Sequence, residues 1–272
     1  MVPVPGARPI ENSRCCMTRR CFFIDAVEPG ADSVVLTGQT AHHIMSVLRM
    51  GKGEPLELRD GKGRGWKGLI VGKEKTSLHV QLIDKLPLRN ESPLRITLAM
   101  ALARSDRMEL VVRQATELGV RRFLAYRSKR SQYGLSDAQA EKRCDRWLKI
   151  AREGMCQCDR MKVPEIGFVP DLSKFVAEHR GAKEESTSLR LLALEGERRS
   201  SLRDVWSSFP ACDEVLAVIG PEGGWAEEEV REFKSADFLA VHLGPRILRL
   251  ETAAVAFVAM VQMLWGDLSV QA

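Results

Sequence analysis

The hydrophobic period of this chain changes at one place, the proline-bearing stretch at residues 86–93. Before it the apolar signals are short and strand-like: CFFIDAV, SVVLT, PLELRD, GLIVGK and SLHVQLID, separated by glycine-rich or polar turns. One helical insert at residues 39–50 interrupts them, with His43, Val47 and Met50 near one face. Residues 19–88 therefore read as a small β-domain. After the change, strands alternate with helices. LRITLAMAL leads to a helix with Ser105 as N-cap and Gly119 as stop, and VRRFLAY leads to a long helix over residues 136–158. PEIGFV, a helix near residues 172–179, a charged loop over residues 181–188, LRLLALEG, VLAVIG, a helix from about residue 226, FLAVHLG and a terminal helix complete the series. Such alternation predicts an α/β domain over residues 94–268, with a mostly parallel sheet covered on both faces and ligands beyond the strands' carboxyl ends. Residues 1–18 carry no periodicity and read as an extension, with Met17 an alternative start.

Charge and composition narrow the partners without naming one. The formal charge of +5 permits a polyanion and equally suits many enzymes. Seven cysteines without paired C-x-x-C spacing argue for reduced thiols in a cytoplasmic protein, and no metal is expected. No apolar run reaches the roughly 20 residues of a membrane helix, and the N-terminus has no secretory apolar region, so no membrane partner is expected.

Gly63-Arg64-Gly65-Trp66-Lys67-Gly68 spells a dinucleotide fingerprint, but a strand follows it where a helix is required, so a hairpin turn is the better reading. No P-loop sequence occurs. More telling is VLAVIGPEGGWAEEEV, in which an apolar strand runs into Gly220-Pro221-Glu222-Gly223-Gly224 and then a helix. Glu222, Glu227, Glu228 and Glu229 crowd that helix start and oppose a phosphate there, while a cationic or neutral cofactor is compatible. The sequence HLGPRILRLET makes a second strand-to-helix turn. Its Arg246 and Arg249 can grip an anion or pair with Glu251 or Glu222. Residues 253–265 hold one polar residue, Gln262, which predicts a helix buried nearly all round and hence a homodimer. Arg121, Arg122, Arg127, Lys129 and Arg130 form a cluster that is either a phosphate footprint or a solvated face.

Taken in order, the chain resembles the ribosomal small-subunit methyltransferase E (RsmE) family of the SPOUT superfamily. The likeness rests on His42-His43, Val47-Leu48-Arg49, Gly51 and Asp60-Gly61 in the first domain. In the second it rests on Asp106-Arg107-Met108, Glu117 to Val120, Arg130-Ser131, Arg146-Trp147, Gln157, Arg160, Val163-Pro164, IGPEGG, LG, ILR and ETA.

The resemblance implies a PUA-like β-barrel that helps hold RNA and a C-terminal trefoil knot around S-adenosyl-L-methionine (AdoMet). It implies a homodimer and methylation of N3 of a uridine in 16S rRNA of the small ribosomal subunit. Carried over by position, the cofactor loops are Leu194, Glu195 and Gly196; Ile219, Gly220, Pro221, Glu222, Gly223 and Gly224; and Leu243, Gly244, Ile247, Leu248, Arg249, Glu251, Thr252 and Ala253. Glu222 is the expected base or cofactor-orienting carboxylate, and Arg249 the cation beside a uracil oxygen. His43, Arg49, Arg130, Gln157 and Arg160 are the expected RNA contacts. Gln114, Gly154, Met155 and Cys156 depart from the residues usual in the family, and they lie where substrate is read. Another rRNA or tRNA base, or a ribosome-binding factor without catalysis, are the competing readings.

Overall fold

The computed structural model describes residues 20–133, 136–180 and 188–268. The expected extension and most of the charged loop at residues 181–188 lie outside them.

The first domain is a five-stranded sheet of β1 (Cys21–Phe23), β2 (Ser33–Leu36), β3 (Pro55–Arg59), β4 (Gly65–Lys73) and β5 (Leu78–Lys85), in the order β1-β3-β4-β5-β2. β1 runs parallel to β3 and the other pairs are antiparallel. Period-2 alternation puts Leu56, Leu58, Ile70, Leu78 and Val80 into its core. The insert differs from expectation. Helix α1 (Gly38–His42) continues as a π-helical turn over His43–Val47, in which the Leu48 amide bonds the His43 carbonyl, five residues back. That winding turns Ala41, Ile44 and Met45 inward and leaves His43 and Val47 exposed, whereas the 3.6-residue period put His43 and Val47 with Met50 on one face.

The second domain is a six-stranded, wholly parallel sheet in the order β11-β9-β10-β6-β7-β8. Its strands are β6 (Arg95–Ala101), β7 (Arg122–Tyr126), β8 (Glu165–Val169), β9 (Ser188–Ala193), β10 (Glu214–Ile219) and β11 (Leu239–Val241). On one face lie α2 (Ser105–Glu117), α3 (Asp137–Gln157), α5 (Leu202–Ser208) and α7 (Leu250–Trp265); on the other lie α4 (Leu172–Glu178) and α6 (Glu227–Ser235). Alternate residues of one strand serve the two faces: Val215, Ala217 and Ile219 of β10 meet the first helix layer, Leu216 and Val218 the second.

Helix ends follow local chemistry. Ser136 accepts from the Gln139 amide and Gln139 returns the bond, a capping box. Gly119 ends α2 at φ +82, with its own amide on Thr116 and the Val120 amide on Ala115, a Schellman stop. The N-cap of α2 is Arg104, not Ser105, whose hydroxyl instead donates to Glu109.

The stretch at residues 86–93 is not a free tether. Glu91 accepts from the amides of Met161 and Lys162 and from Arg160, while Arg89 and Asn90 hold Asp159. From the first domain, buried Arg59 donates to the Arg160 carbonyl and pairs with Glu57 and Asp159. The Arg152 guanidinium sits 4.1 Å from the Phe23 ring centre. The Cys21 thiol bonds Cys156 of α3, and this bond and burial hold it far above the ordinary thiol range. The two domains thus share a polar seam.

Candidate active site

Three loops leave the carboxyl ends of β9, β10 and β11 and close around a cavity of about 440 Å3. β10 and β11 flank β9, so segments far apart in the chain end side by side. Of the seventeen residues assigned to the cofactor from sequence, thirteen line this cavity: Leu194, Glu195, Gly196, Ile219, Gly220, Pro221, Glu222, Gly224, Leu243, Gly244, Ile247, Leu248 and Ala253. Gly223, Arg249, Glu251 and Thr252 do not. Gly223 packs instead against the loop carrying Arg130, where a Cβ would lie 3.1 Å from the Arg130 carbonyl oxygen.

Trp225, which sequence reasoning passed over, organises the site. Its indole Nε1 donates to the Ala193 carbonyl at 3.0 Å, joining the β9 and β10 loops. The ring stacks on Tyr126 and meets Phe233 edge-on. Tyr126 in turn donates to the Ile219 carbonyl at 2.6 Å. Complete burial keeps the Tyr126 phenol neutral well beyond its usual range. Gly220 is required by this packing, because a Cβ there would stand 2.6 Å from the Trp225 Nε1.

The carboxylates crowding the start of α6 are largely spent on structure. Glu229 is buried, accepts from the Ala226 amide, the Ser128 hydroxyl and the Lys129 amide, and so pins residues 128–131 beside the site. Glu228 pairs with Lys129, which lowers the carboxyl's pKa and raises the ammonium's. Glu227 lies near Arg231. The acidic groups on the cavity wall are Glu195, Glu197 and Glu222; the basic ones are Arg198, Arg246 and His242. Glu197, Arg198, His242 and Arg246 were not singled out as cofactor residues, although each lies within two positions of one that was.

The pairing expected of Arg249 also changes. It stands exposed at the N-cap of α7, and Glu222 and Glu251 are both met by Arg107 of α2. Arg160, expected on RNA, is a buried staple: its guanidinium donates to the Thr116 and Val120 carbonyls at 2.7 and 3.0 Å and to Glu91. Its side chain is 4% exposed, so it faces the seam between the domains and not a surface open to phosphate, and that expectation is corrected. Arg49, His43, Arg130 and Gln157 are exposed. Among the described residues no group of three or more His, Cys, Asp or Glu is placed to hold a metal, and no helix is long and apolar enough to cross a membrane.

A parallel sheet with a glycine-turned cavity at its carboxyl edge, joined to a small β-domain, is the architecture of a two-domain α/β protein that binds a small ligand beyond its strand ends. Residues 90–262 match the RNA methyltransferase domain model and residues 36–83 the RNA methyltransferase PUA domain model. Ribosomal RNA small subunit methyltransferase E of Bacillus subtilis is 30% identical over 87% of this chain and 94% of its own length. The Mycobacterium tuberculosis relative of the same name is 29% identical over 91% and 93%. Among solved structures, the Neisseria gonorrhoeae enzyme of that name, bound to S-adenosyl methionine, superposes with TM-score 0.80 at 30% identity, covering 92% of this chain and 100% of the other. A Legionella pneumophila structure holding the cofactor SAM gives 0.83 at 32%, covering 92% and 99%. The chain belongs to the ribosomal RNA small subunit methyltransferase E family.

Proposed function

We propose that this chain methylates N3 of one uridine in 16S rRNA, with AdoMet held in the three-loop cavity. It is an rRNA small-subunit methyltransferase that uses AdoMet, as its family relatives and their cofactor-bound structures support. The observation that carries the cofactor's placement is the cavity wall itself. Its volume suits a ligand of this size, its glycine turns bring backbone amides and carbonyls to the surface, and its charges are mixed. Glu195, Glu197 and Glu222 suit a sulfonium and an ammonium, and Arg198 and Arg246 suit a carboxylate.

When bound, AdoMet would supply a methyl on a sulfonium, with the carbon–sulfur electron pair going to sulfur. This chain must then prepare the acceptor. Uridine N3 carries a proton and attacks only once that proton is lost. Glu222, on the cavity wall, is assigned as the carboxylate that takes it. Arg249, next to the lining residue Leu248, is assigned to the uracil oxygen on which charge develops. Trp225 and Tyr126 fix the loop carrying Glu222, so the base is positioned by packing. Exposed His43, Arg49, Arg130 and Gln157 are assigned to the RNA.

The assembly is assigned as a cytoplasmic homodimer. Support comes from α7, whose Met260 and Met263 are 38% and 64% exposed on an otherwise apolar helix. The return of α7 from the outer strand β11 to pack on α2 and β10 is in keeping with the knotted threading implied by the resemblance.

The decisive experiment incubates the protein with labelled AdoMet and small subunits from a strain lacking the corresponding gene, then maps the methyl by digestion and mass spectrometry. Label on N3 of one 16S uridine is the expected result. Label on another base or on tRNA would replace the substrate assignment, and no transfer despite cofactor binding would favour a binding factor.

A further inference from the structure

Arg107 stands in the first turn of α2, at the carboxyl edge of the sheet, because β6 is the strand hydrogen-bonded to β10. It reaches two elements at once. Its Nη1 donates to Glu222 Oε1 on the β10–α6 loop, and its Nε lies 3.8 Å from Glu251 Oε2 in the first turn of α7. Among the described residues, Arg107 is the only ion-pair partner of either carboxylate. Side-chain exposures of 26%, 28% and 15% for Arg107, Glu222 and Glu251 put the trio partly out of water, where charge pairs are less screened. Glu251 Oε2 is buried and accepts no hydrogen bond, so among the described residues its charge partner is Arg107, helped by the N-terminal end of α7.

We infer that Arg107 is a positioning residue for methyl transfer: it holds Glu222 oriented at the cavity wall, while Glu251 fixes the guanidinium in place. The inference rests on the reading of Glu222 as the base. A guanidinium has a rigid, planar set of donors, so engaging Nη1 on one carboxylate and setting Nε toward another fixes the plane of the fork and with it the rotamer of Glu222. The proton leaving uridine N3 passes to Glu222. The carboxyl becomes neutral, and its bond to Arg107 loses one of its two charges. Glu251 keeps the guanidinium from swinging away. A positive charge therefore stays beside the site as negative charge forms on the uracil, an arrangement that favours the transition state over the ground state.

The test compares Arg107→Ala, Arg107→Lys, Glu222→Gln and the Arg107→Ala/Glu222→Gln double variant. AdoMet affinity is read by calorimetry and single-turnover methyl transfer on small subunits by label. The expected result for Arg107→Ala is a rate about a hundredfold lower with AdoMet affinity changed less than about threefold. Arg107→Lys restores part of the rate, and added guanidinium ion at non-denaturing concentration restores part of the Arg107→Ala rate. In the Glu222→Gln background, Arg107→Ala costs little more, because both substitutions remove one function.

Parallel loss of affinity and rate, with no recovery by lysine or guanidinium, would overturn the inference in favour of a loop staple. A slow Glu222→Gln variant beside an unimpaired Arg107→Ala variant would overturn it while leaving the base assignment standing. A Glu222→Gln variant at full rate would remove the base assignment and Arg107's role through it together.

Discussion

Gly220 and Arg160 show two ways in which a single residue depends on its surroundings. At Gly220 the constraint is contact, since the site of a Cβ is already taken by the Trp225 indole. Gly220→Ala should push that indole off the Ala193 carbonyl and loosen two loops at once. The expected outcome is an AdoMet affinity lower by about tenfold, from an overpacking cost of about 1–3 kcal/mol, read by calorimetry. An unchanged affinity would mean that the Trp225 bridge does not shape the cavity. At Arg160 the constraint is burial. Arg160→Ala removes the charge partner of the Glu91 carboxylate and a buried donor to two carbonyls, and should lower unfolding free energy by about 3–5 kcal/mol in a denaturant titration. Under conditions where the variant remains folded, its RNA affinity should match that of the parent protein. Selective loss of RNA binding would return Arg160 to the surface role that its place in the resemblance first suggested.

Elements were legible in the sequence where their signals are local. The start of α3 at Ser136 and the stop of α2 at Gly119 need only residues within one turn, and both stand where the sequence puts them. Helix α5 was missed although it carries the same kind of signal, a reciprocal cap between Ser201 and Asp204. Like α4 it runs only seven residues, so its apolar period is short. The cap is therefore expected to matter more than the propensity of so short a helix. Ser201→Ala should cost about 1 kcal/mol by denaturant unfolding, and a neutral substitution would mean that packing on α7 holds α5 unaided. The insert after β2 failed for a different reason. Its residues continue a helical pattern, and nothing local announces that the winding widens to five residues at His43, so the buried face shifts to Ile44 and Met45.

At the scale of the molecule, α7 is the element whose surroundings remain incomplete in one chain. An apolar helix with its inward side on the sheet was expected to be covered all round, yet Met263 is 64% exposed and Met260 38%, with Trp206 and Phe209 of the neighbouring α5 segment also in solvent at 38% and 46%. A second copy of this chain would cover such a surface, and charge placed there would oppose it. Met260→Glu combined with Met263→Glu should give a folded monomer by light scattering at micromolar concentration, since removing two methionines from an interface forgoes about 1.5–3 kcal/mol each. A dimer that persists would place the interface elsewhere.

The sequence by itself determined the two-domain plan, the parallel α/β character of the second domain, most helix ends and thirteen of the residues around the cavity. The first three follow from patterns confined to one strand, one turn or one loop, and the thirteen residues from the resemblance to the family. Tertiary structure alone decided which charge meets which. Arg107 and Glu222 stand 115 positions apart, Arg59 and Asp159 100, and Arg160 and Glu91 69. Local periodicity shows that such groups exist, but it carries no record of the strand order that brings them together. Ion pairing is non-directional along the sequence. Only the β11-β9-β10-β6 arrangement places Arg107 beside the loops of β10 and β11, and only the packing of α2, the linker and the first domain draws Arg160 out of solvent.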